Sequence, residues 1–201
     1  MLTRRNLLQS GAAVGLLGAT PLTAQTVPDY PVPPQYEPRI VQLRVNLAPG
    51  EIHVMPDEFA LYWTLPDLQA IRYTVGIGRV GLYEPGEFVV GAKKEFPSWK
   101  PTPDMVKRSP DQYARYEKDG IPGGLTNPLG ARALYLFSPG RGDTFLRIHG
   151  THLPNTIARA VSNGCARLVN DQIVDLYNRV PMQSRIVLYP RMGPNASSAQ
   201  G

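Results

Sequence analysis

The sequence predicts a mainly β domain, a β-sandwich or barrel, that carries one or two short helices. Apolar residues make up 42% of the 201 residues, which is enough to form a hydrophobic core. Glycine and proline contribute 19 and 21 residues, and a chain so rich in turn residues favours short strands over a helical bundle. The third observation is a regular alternation of short apolar runs with turn residues. Together these features predict a turn-rich β architecture.

Eight apolar runs are predicted to be strands. Each combines β-branched or aromatic residues with flanking Pro-Gly, Pro-Asp or similar turn sequences, which is the pattern of short strands in a sandwich or barrel. The runs span residues 39–45, 51–55, 60–64, 71–77, 87–90, 134–137, 144–148 and 185–189.

Two segments have helical character. Apolar residues between 173 and 180 recur on one helical face, Asn170 stands where an N-cap is expected, and Pro181 ends the run. A second stretch, residues 104–118, is interrupted by Pro110 and is expected on the surface.

Residues 1–24 are predicted to be an export signal peptide. Arg4 and Arg5 precede a short stretch of small and apolar residues, and the segment contains no acidic residue. The tract TRRNLL at residues 3–8 resembles a twin-arginine signal, although an ordinary signal peptide with a basic start is the alternative. The stretch is too short and too rich in Gly and Ala for a stable membrane span. The expected location is therefore the periplasm or the cell envelope.

The composition also predicts where the domain begins and ends. Residues 25–38 form a proline-rich linker, with five prolines among residues 27–38, because such a tract favours polyproline II and cannot join a central strand. The polar, small residues after the last strand predict a flexible tail over residues 191–201. The folded domain is expected to span residues 39–190.

Charge and cysteine content exclude several classes of function. The net charge of +5 includes the two arginines of the signal segment, so the remaining chain is only weakly basic, and no nucleic-acid partner is expected. A single cysteine excludes an intramolecular disulfide and a cysteine-based metal cage. His149 and His152 are spaced as a candidate pair of metal ligands, but the sequence offers no further ligands at suitable spacing. We therefore expect no metal and no cofactor.

The chemistry is predicted to lie between Arg147 and Leu168. A lone cysteine is often only a small buried residue, but Cys165 follows Gly164 in a turn that can expose the sulfur and direct backbone N–H groups at an oxyanion. Because the thiolate is the nucleophile, a base must lie nearby, and the charge of Arg167 would favour the thiolate. His149, which closes a predicted strand, is the candidate base.

The residues of this segment resemble a known active-site signature. His149-Gly150-Thr151 followed by the sequence SNGCARL at residues 162–168 resembles the HGT and S-x-G-C-x-R motifs of the L,D-transpeptidases, the YkuD or ErfK/YbiS/YcfS/YnhG domain. Residues 122–135 and 96–103 also resemble family segments, and the predicted helix follows the cysteine as it does there. The resemblance covers about residues 50–190. It implies an L,D-transpeptidase-like β-sandwich.

The resemblance implies a peptidoglycan L,D-transpeptidase. Cys165 would attack the third residue of a tetrapeptide stem and expel D-alanine, with His149 as general base and acid and the Gly164 backbone at the oxyanion. The acceptor would be a second stem, giving a 3–3 cross-link, or the lysine of an anchored lipoprotein, a D-amino acid or water. Carbapenem-type compounds are the expected inhibitors. An L,D-carboxypeptidase, a cross-link-cleaving amidase and a non-catalytic wall-binding module remain as alternatives.

Secondary roles are assigned to the neighbours of this pair. Arg167 is expected to support the loop or to meet a stem carboxylate, with a structural salt bridge as the alternative. Asn163 stands where many family members have histidine. His53 is expected to be an exposed strand residue. The substrate-binding surface is predicted to comprise Ser162, Asn163, Gly150, Thr151 and His152.

Overall fold

The computed structural model describes residues 26–27 and 29–192. The predicted signal peptide over residues 1–24, and residues 193–201 of the predicted tail, lie outside the described residues. The described chain contains eleven strands. They are β1 (Arg39–Gln42), β2 (Ile52–Met55), β3 (Ala60–Leu65), β4 (Gln69–Thr74), β5 (Ile77–Gly78), β6 (Gly86–Glu95), β7 (Arg132–Ser138), β8 (Gly142–His149), β9 (Ala160–Ser162), β10 (Ala166–Arg167) and β11 (Arg185–Leu188).

Three α-helices accompany the strands in the described part of the chain: α1 (Pro103–Arg108), α2 (Pro110–Tyr113) and α3 (Asn170–Arg179). Pro110 begins α2, so the predicted interruption of the first helical stretch is confirmed. No residue of α1 or α2 is buried, which confirms that this stretch lies on the surface. Short 3-10 turns occur at Pro34–Tyr36, Pro56–Glu58, Ala114–Tyr116 and Pro154–Thr156.

Nine of the strands form one sheet in the order β1-β4-β3-β2-β11-β6-β7-β8-β10, and β5 and β9 form a separate pair. Strand β10, at one edge of the large sheet, contacts the chain just after β4, the strand next to the other edge: Gly76 exchanges backbone hydrogen bonds of 2.9 and 2.8 Å with Arg167 of β10. The sheet therefore wraps around its core. The core is made of apolar side chains that alternate along the strands, including Leu61, Tyr73, Val90, Leu134, Ile148, Leu168 and Ile186, each almost fully buried.

Helix α3 covers one side of this core. Ile173 and Leu176 are fully buried, while Asn178 and Arg179 are exposed, as expected of an amphipathic helix. The prediction that Asn170 is the N-cap is wrong: the cap position is Val169, without a side-chain hydrogen bond, and Asn170 is the first helical residue. The Asn170 side chain instead contacts two loops of the candidate site. The helix ends just before Pro181, as predicted.

The mainly β class is confirmed, and all eight predicted strands are present with ends shifted by a few residues. Residues 71–77 were predicted as one strand, but β4 ends at Thr74. The chain then forms β5, which pairs with β9 and is not part of the large sheet. Strands β5, β9 and β10 were not predicted, because each is only two or three residues long. These short strands surround the cysteine.

The described part of the proline-rich segment packs along the domain. Tyr36 accepts a hydrogen bond through its carbonyl oxygen from Gln172 of α3, at 3.4 Å. Asp29 and Tyr30 line a pocket together with Thr151 and His152. Among residues 26–27 and 29–192, no helix is both long enough and apolar enough to cross a membrane.

Candidate active site

The candidate nucleophile and base are brought together by two adjacent parallel strands. Strand β10 pairs with β8 so that Arg167 is opposite His149 and Ala166 is opposite Ile148. Cys165 immediately precedes β10, at the level of Arg147 on β8. Because side chains alternate between the faces of a sheet and paired strands lie about 4.8 Å apart, Cys165 and His149 are diagonal neighbours on one face.

The opposite face of these strands belongs to the core. Leu146, Ile148, Ala166 and Leu168 are all buried there. This alternation is the reason why a thiol and an imidazole can stand on an otherwise apolar sheet: one face holds the core together while the other carries the chemistry.

His149 is held in one tautomer by its own loop. Its Nδ1 lies 2.5 Å from the carbonyl oxygen of Gly150, which can only accept, so Nδ1 carries the proton and Nε2 keeps a free lone pair. Burial lowers the pKa of His149 to about 3, and the positive charge of Arg167 adds to this effect. The imidazole is therefore neutral at physiological pH and able to accept a proton.

Cys165 is the one free cysteine of the sequence and is partly exposed. Burial raises the pKa of its thiol, while a hydrogen bond from the Arg147 backbone and the charges of Arg147 and Arg167 oppose that rise. The resting thiol is therefore protonated at neutral pH. A thiol in this state needs a base, and the free ring nitrogen of His149 is the neighbouring group that can supply one.

Arg167 stands beside both of these groups. Its backbone closes the sheet against Gly76, and its side chain is largely buried, with Nε and Nη2 lacking a hydrogen-bond partner among the described residues. It forms no ion pair within the described part of the chain, so the structural salt bridge considered above is not present there. A guanidinium with free buried donors is suited to bind an anionic group.

The turn before Cys165 is closed by Ser162. The Ser162 hydroxyl donates to the carbonyl oxygen of Cys165 at 2.6 Å and accepts from the N–H of Gly164 at 3.3 Å. Gly164 has φ of +119°, and a Cβ there would lie 2.8 Å from the carbonyl oxygen of Leu82. Only glycine fits this position without strain.

Asn163 is part of the same turn, and its side chain bonds to residues outside the turn. Its Oδ1 accepts hydrogen bonds from Arg79 at 2.8 Å and Arg108 at 3.0 Å, and its Nδ2 donates to the hydroxyl of Tyr113 at 2.9 Å. Asn163 therefore joins the cysteine turn to two segments that are distant in sequence.

Asn170 supports the histidine loop, a role that no local pattern in the sequence indicates. Its Oδ1 accepts from the backbone N–H of Ala131 at 2.9 Å, and its Nδ2 donates to the carbonyl oxygen of Thr151 at 3.0 Å. A Cβ on Gly150 would lie only 2.3 Å from this Oδ1, so glycine permits the close approach. The interpretation of Asn170 as a cap overlooked these contacts because both partners are far away in sequence.

Thr151 and His152 differ in their surroundings. Thr151 is buried, and its hydroxyl accepts from the N–H of Leu153 at 3.0 Å. His152 is exposed at the edge of the pocket that Tyr30 also lines, and partial burial lowers its pKa. Among the described residues, no group of three or more His, Cys, Asp or Glu residues is arranged to hold a metal ion.

The expectation for His53 is wrong, because only 3% of this residue is exposed. Both ring nitrogens have partners: Nδ1 lies 3.2 Å from the Tyr189 hydroxyl and Nε2 lies 3.1 Å from Glu51. His53 is an internal polar residue of β2, several strands away from Cys165.

The curated relatives that match this chain are named as probable or putative L,D-transpeptidases. The probable L,D-transpeptidase ErfK/SrfK of Escherichia coli is 36% identical over 135 residues, which is 64% of this chain and 40% of that protein. The curated relatives are longer proteins, and the chain spans about a third to just over a half of their length.

Solved structures give the same fold. A crystal structure from Brucella melitensis, described as a probable carnitine operon oxidoreductase, is 41% identical, with a TM-score of 0.53, and the match covers 75% of this chain and 91% of that one. A cysteine-to-serine mutant of an Enterococcus faecium L,D-transpeptidase has a TM-score of 0.51 at 13% identity, with coverages of 71% and 50%.

The family comparison covers the whole of the site just described. The family model of the L,D-transpeptidase catalytic domain (YkuD) matches residues 49–188, which include His149, Cys165 and all but one of the strands. The chain therefore belongs to the L,D-transpeptidase catalytic domain family.

Proposed function

We propose that this chain is a cysteine-dependent L,D-transpeptidase that acts on the peptide stems of peptidoglycan. One observation carries the proposal: the imidazole of His149, neutral and fixed in one tautomer by Gly150, stands diagonally beside the thiol of Cys165. A protonated thiol and a neutral base are the starting state that acyl transfer to sulfur needs.

In the first step, the sulfur of Cys165 attacks the carbonyl carbon of the third stem residue. The thiol proton passes to Nε2 of His149, and the carbonyl oxygen becomes an oxyanion. The carbon–nitrogen bond then breaks, the imidazolium returns the proton to the leaving amine, and D-alanine departs. A thioester on Cys165 remains.

In the second step, an acceptor amine attacks the thioester. Its proton passes to His149, the carbon–sulfur bond breaks, and the thiolate of Cys165 takes the proton back. An amine from a second stem gives a 3–3 cross-link, and the lysine of an anchored lipoprotein gives an attached protein. Water as the acceptor gives an L,D-carboxypeptidase, or a cross-link-cleaving amidase if the bond attacked is a cross-link.

The oxyanion needs hydrogen-bond donors. The N–H of Gly164 donates to Ser162 over a long 3.3 Å, whereas the N–H of Cys165 has no partner among the described residues. The Cys165 N–H is thus the better placed donor, with Gly164 as the second once its weak bond is released. In a protease, loss of one such donor costs about 2.7–4 kcal/mol of transition-state stabilisation.

Two other functions make different predictions. A non-catalytic wall-binding module would not need the neutral base beside the thiol and would keep its function without Cys165. The name of the Brucella melitensis structure concerns redox chemistry in that protein, and here the pairing of a protonated thiol with a neutral imidazole favours acyl transfer.

We also propose that the protein is exported to the periplasm or the cell envelope through its N-terminal segment. The two adjacent arginines and the weakly apolar stretch that follows support a twin-arginine signal. Fractionation of cells that express the full chain, with Arg4 and Arg5 replaced together by lysine, tests this. Export that depends on the arginine pair would support the twin-arginine route, and unaltered export would support an ordinary signal peptide.

The reaction is tested by incubating the domain with a purified disaccharide-tetrapeptide and separating the products by mass. A dimer that is one D-alanine lighter than two monomers, absent with Cys165→Ala and with His149→Ala, would support transpeptidation. Tripeptide alone would support the carboxypeptidase. No product, together with no carbapenem adduct on Cys165, would overturn the proposal.

A further inference from the structure

Two arginines meet at one uncharged atom next to the cysteine turn. Nη2 of Arg79 and Nη2 of Arg108 donate to the same oxygen, Oδ1 of Asn163, at 2.8 and 3.0 Å. Guanidinium groups can only donate, so the side-chain atom that faces them must be the amide oxygen. Both arginine residues are exposed, so the remaining donors of the pair are accessible.

The positive charges of this pair are not compensated. Within residues 26–27 and 29–192, neither Arg79 nor Arg108 forms an ion pair with an acidic side chain. Asp104 and Asp111 are the acidic residues closest to Arg108 in sequence, and neither forms an ion pair with Arg108. Two like charges drawn to one neutral oxygen repel each other, and a carboxylate between them would relieve that repulsion while it accepts several charge-assisted hydrogen bonds.

The position of the pair is fixed from both sides. The backbone N–H of Arg79 donates to the carbonyl oxygen of Ser162 at 3.0 Å, directly before the cysteine turn. Arg108 ends α1, in a segment closed at its base by reciprocal backbone bonds of 2.9 and 2.7 Å between Trp99 and Ile121. Within that segment Trp99 packs against Tyr113, whose hydroxyl accepts from Asn163.

A short stretch of backbone joins the pair, through Asn163, to the nucleophile. Asn163 is two residues from Cys165, a span of at most about 7 Å between their Cα atoms. In the reaction proposed above, the leaving D-alanine places its carboxylate one residue, about 3.6 Å of extended chain, beyond the attacked carbonyl. A carboxylate so close to the scissile bond falls within the reach of long arginine side chains that surround Asn163.

We infer that Arg79 and Arg108, gathered by Asn163, form a binding site for the terminal carboxylate of the donor stem peptide. This inference rests on the proposed function and adds the group by which the enzyme would select a stem that ends in a free carboxylate. Arg167 stands on the other side of Cys165 in the sequence, and its Nε and Nη2 are buried without a hydrogen-bond partner among the described residues.

The test measures binding separately from turnover. A Cys165→Ala domain is titrated calorimetrically with a synthetic tetrapeptide stem and with the same stem as its C-terminal amide. We expect the free acid to bind at least about tenfold more tightly, because the amide offers one acceptor and no charge. We expect Arg79→Gln and Arg108→Gln each to remove most of this difference by weakening the acid and sparing the amide.

Matched variants separate contact from charge and from folding. Arg115→Gln makes the same charge change in the segment that carries Arg108, but Arg115 lies over Tyr116 and does not touch Asn163, so the preference should persist. Arg79→Lys keeps the charge and loses the planar fork, so we expect an intermediate preference. Thermal unfolding of each variant shows whether it is folded. If one of Arg79→Gln and Arg108→Gln does not fold, the acid preference of the other variant tests the inference.

The outcomes distinguish this inference from the proposed function. If the active domain releases D-alanine but the acid and the amide bind equally, or if Arg79→Gln and Arg108→Gln weaken both to the same extent, the inference is overturned and the proposed function stands. If the active domain acts on neither stem, the proposed function is overturned and this inference falls with it.

Discussion

His53 and His149 both lie on strands of the nine-stranded sheet, with only 3% and 5% of their surfaces exposed, but their neighbours differ. His53 has partners on both ring nitrogens, Tyr189 and the carboxylate of Glu51. Among residues 26–27 and 29–192, His149 has a partner on Nδ1 alone, and the charged side chains that act on it most strongly are the cations Arg167 and Arg147.

This comparison contrasts a structural histidine with the proposed catalytic base. Burial lowers the pKa of both rings, but Glu51 works against that effect at His53, whereas the nearby cations reinforce it at His149. Burial alone therefore does not identify a catalytic histidine. The free nitrogen and the neighbouring thiol distinguish His149 as the proposed base, because in a satisfied ring the lone pair is already engaged in a hydrogen bond.

The largest expected difference between the two histidines is in activity. We expect His149→Ala to lower the rate of D-alanine release at least about 10³-fold, since the base of a nucleophile–base pair is lost. We expect His53→Gln to retain most of that rate, because β2 is separated from β8 by three strands of the sheet. A steady-state assay of both variants checks this, and similar losses would remove the distinction.

The stabilities of the two alanine variants should have the opposite order. His53→Ala leaves the Tyr189 hydroxyl without its partner and Glu51 with Arg185 alone, whereas His149→Ala frees one backbone carbonyl. We expect the free energy of unfolding to fall by about 1–3 kcal/mol more for His53→Ala. Urea unfolding at pH 7 measures both values, and an equal or larger loss for His149→Ala would contradict the structural role of His53.

Acid should destabilise the protein through His149. Its pKa is about 3 in the folded chain against an ordinary value of 6.5, so the unfolded state binds a proton first as the pH falls. The free energy of unfolding therefore falls as the pH drops from 6.5 to 3. By pH 5 we expect His149 to have lowered it by about 2 kcal/mol.

Unfolding at pH 7 and pH 5 tests that loss. We expect His149→Gln to lose about 2 kcal/mol less than the unsubstituted domain over this interval, since the glutamine side chain does not titrate. His53→Gln should reduce the loss of unfolding free energy by less than His149→Gln does, because Glu51 can stabilise the protonated ring of His53. Equal pH dependence of all three proteins would show that His149 is not kept neutral by the fold.

The smallest expected effect concerns the support of His149 from outside its motif. Asn170→Ala removes the bonds to Ala131 and Thr151, and we expect D-alanine release to slow about tenfold, because the loop that orients the imidazole of His149 loses this support. Asn170→Asp keeps an acceptor for the Ala131 N–H and should recover part of the rate. A rate unchanged by Asn170→Ala would mean that the Gly150 carbonyl alone is enough to orient the imidazole.

The comparison also shows why some residues were predicted and others were missed. Cys165 and His149 were singled out as candidates because a thiol in a glycine-rich turn and a histidine at the end of a strand are local patterns with known chemistry. Asn170 was assigned to a helix cap from the same kind of local pattern, and the assignment failed because its real partners lie 39 and 19 residues away. His53 was expected at the surface because alternation along a short strand does not reveal which polar residue will find internal partners.

The amino-acid sequence by itself determined the mainly β class, the positions of the eight longer strands and helix α3, the family, and the identity of the candidate nucleophile and base. These depend on residue type and on short-range periodicity, which the chain displays directly. Only the tertiary structure decided that the sheet closes through Gly76 and Arg167, that Gly150 sets the tautomer of His149, and that Asn163 gathers two arginines beside the cysteine turn. The physical reason is that hydrogen bonds, burial and charge act between atoms that are near in space, and the fold joins residues whose separation along the chain carries no sign of that contact.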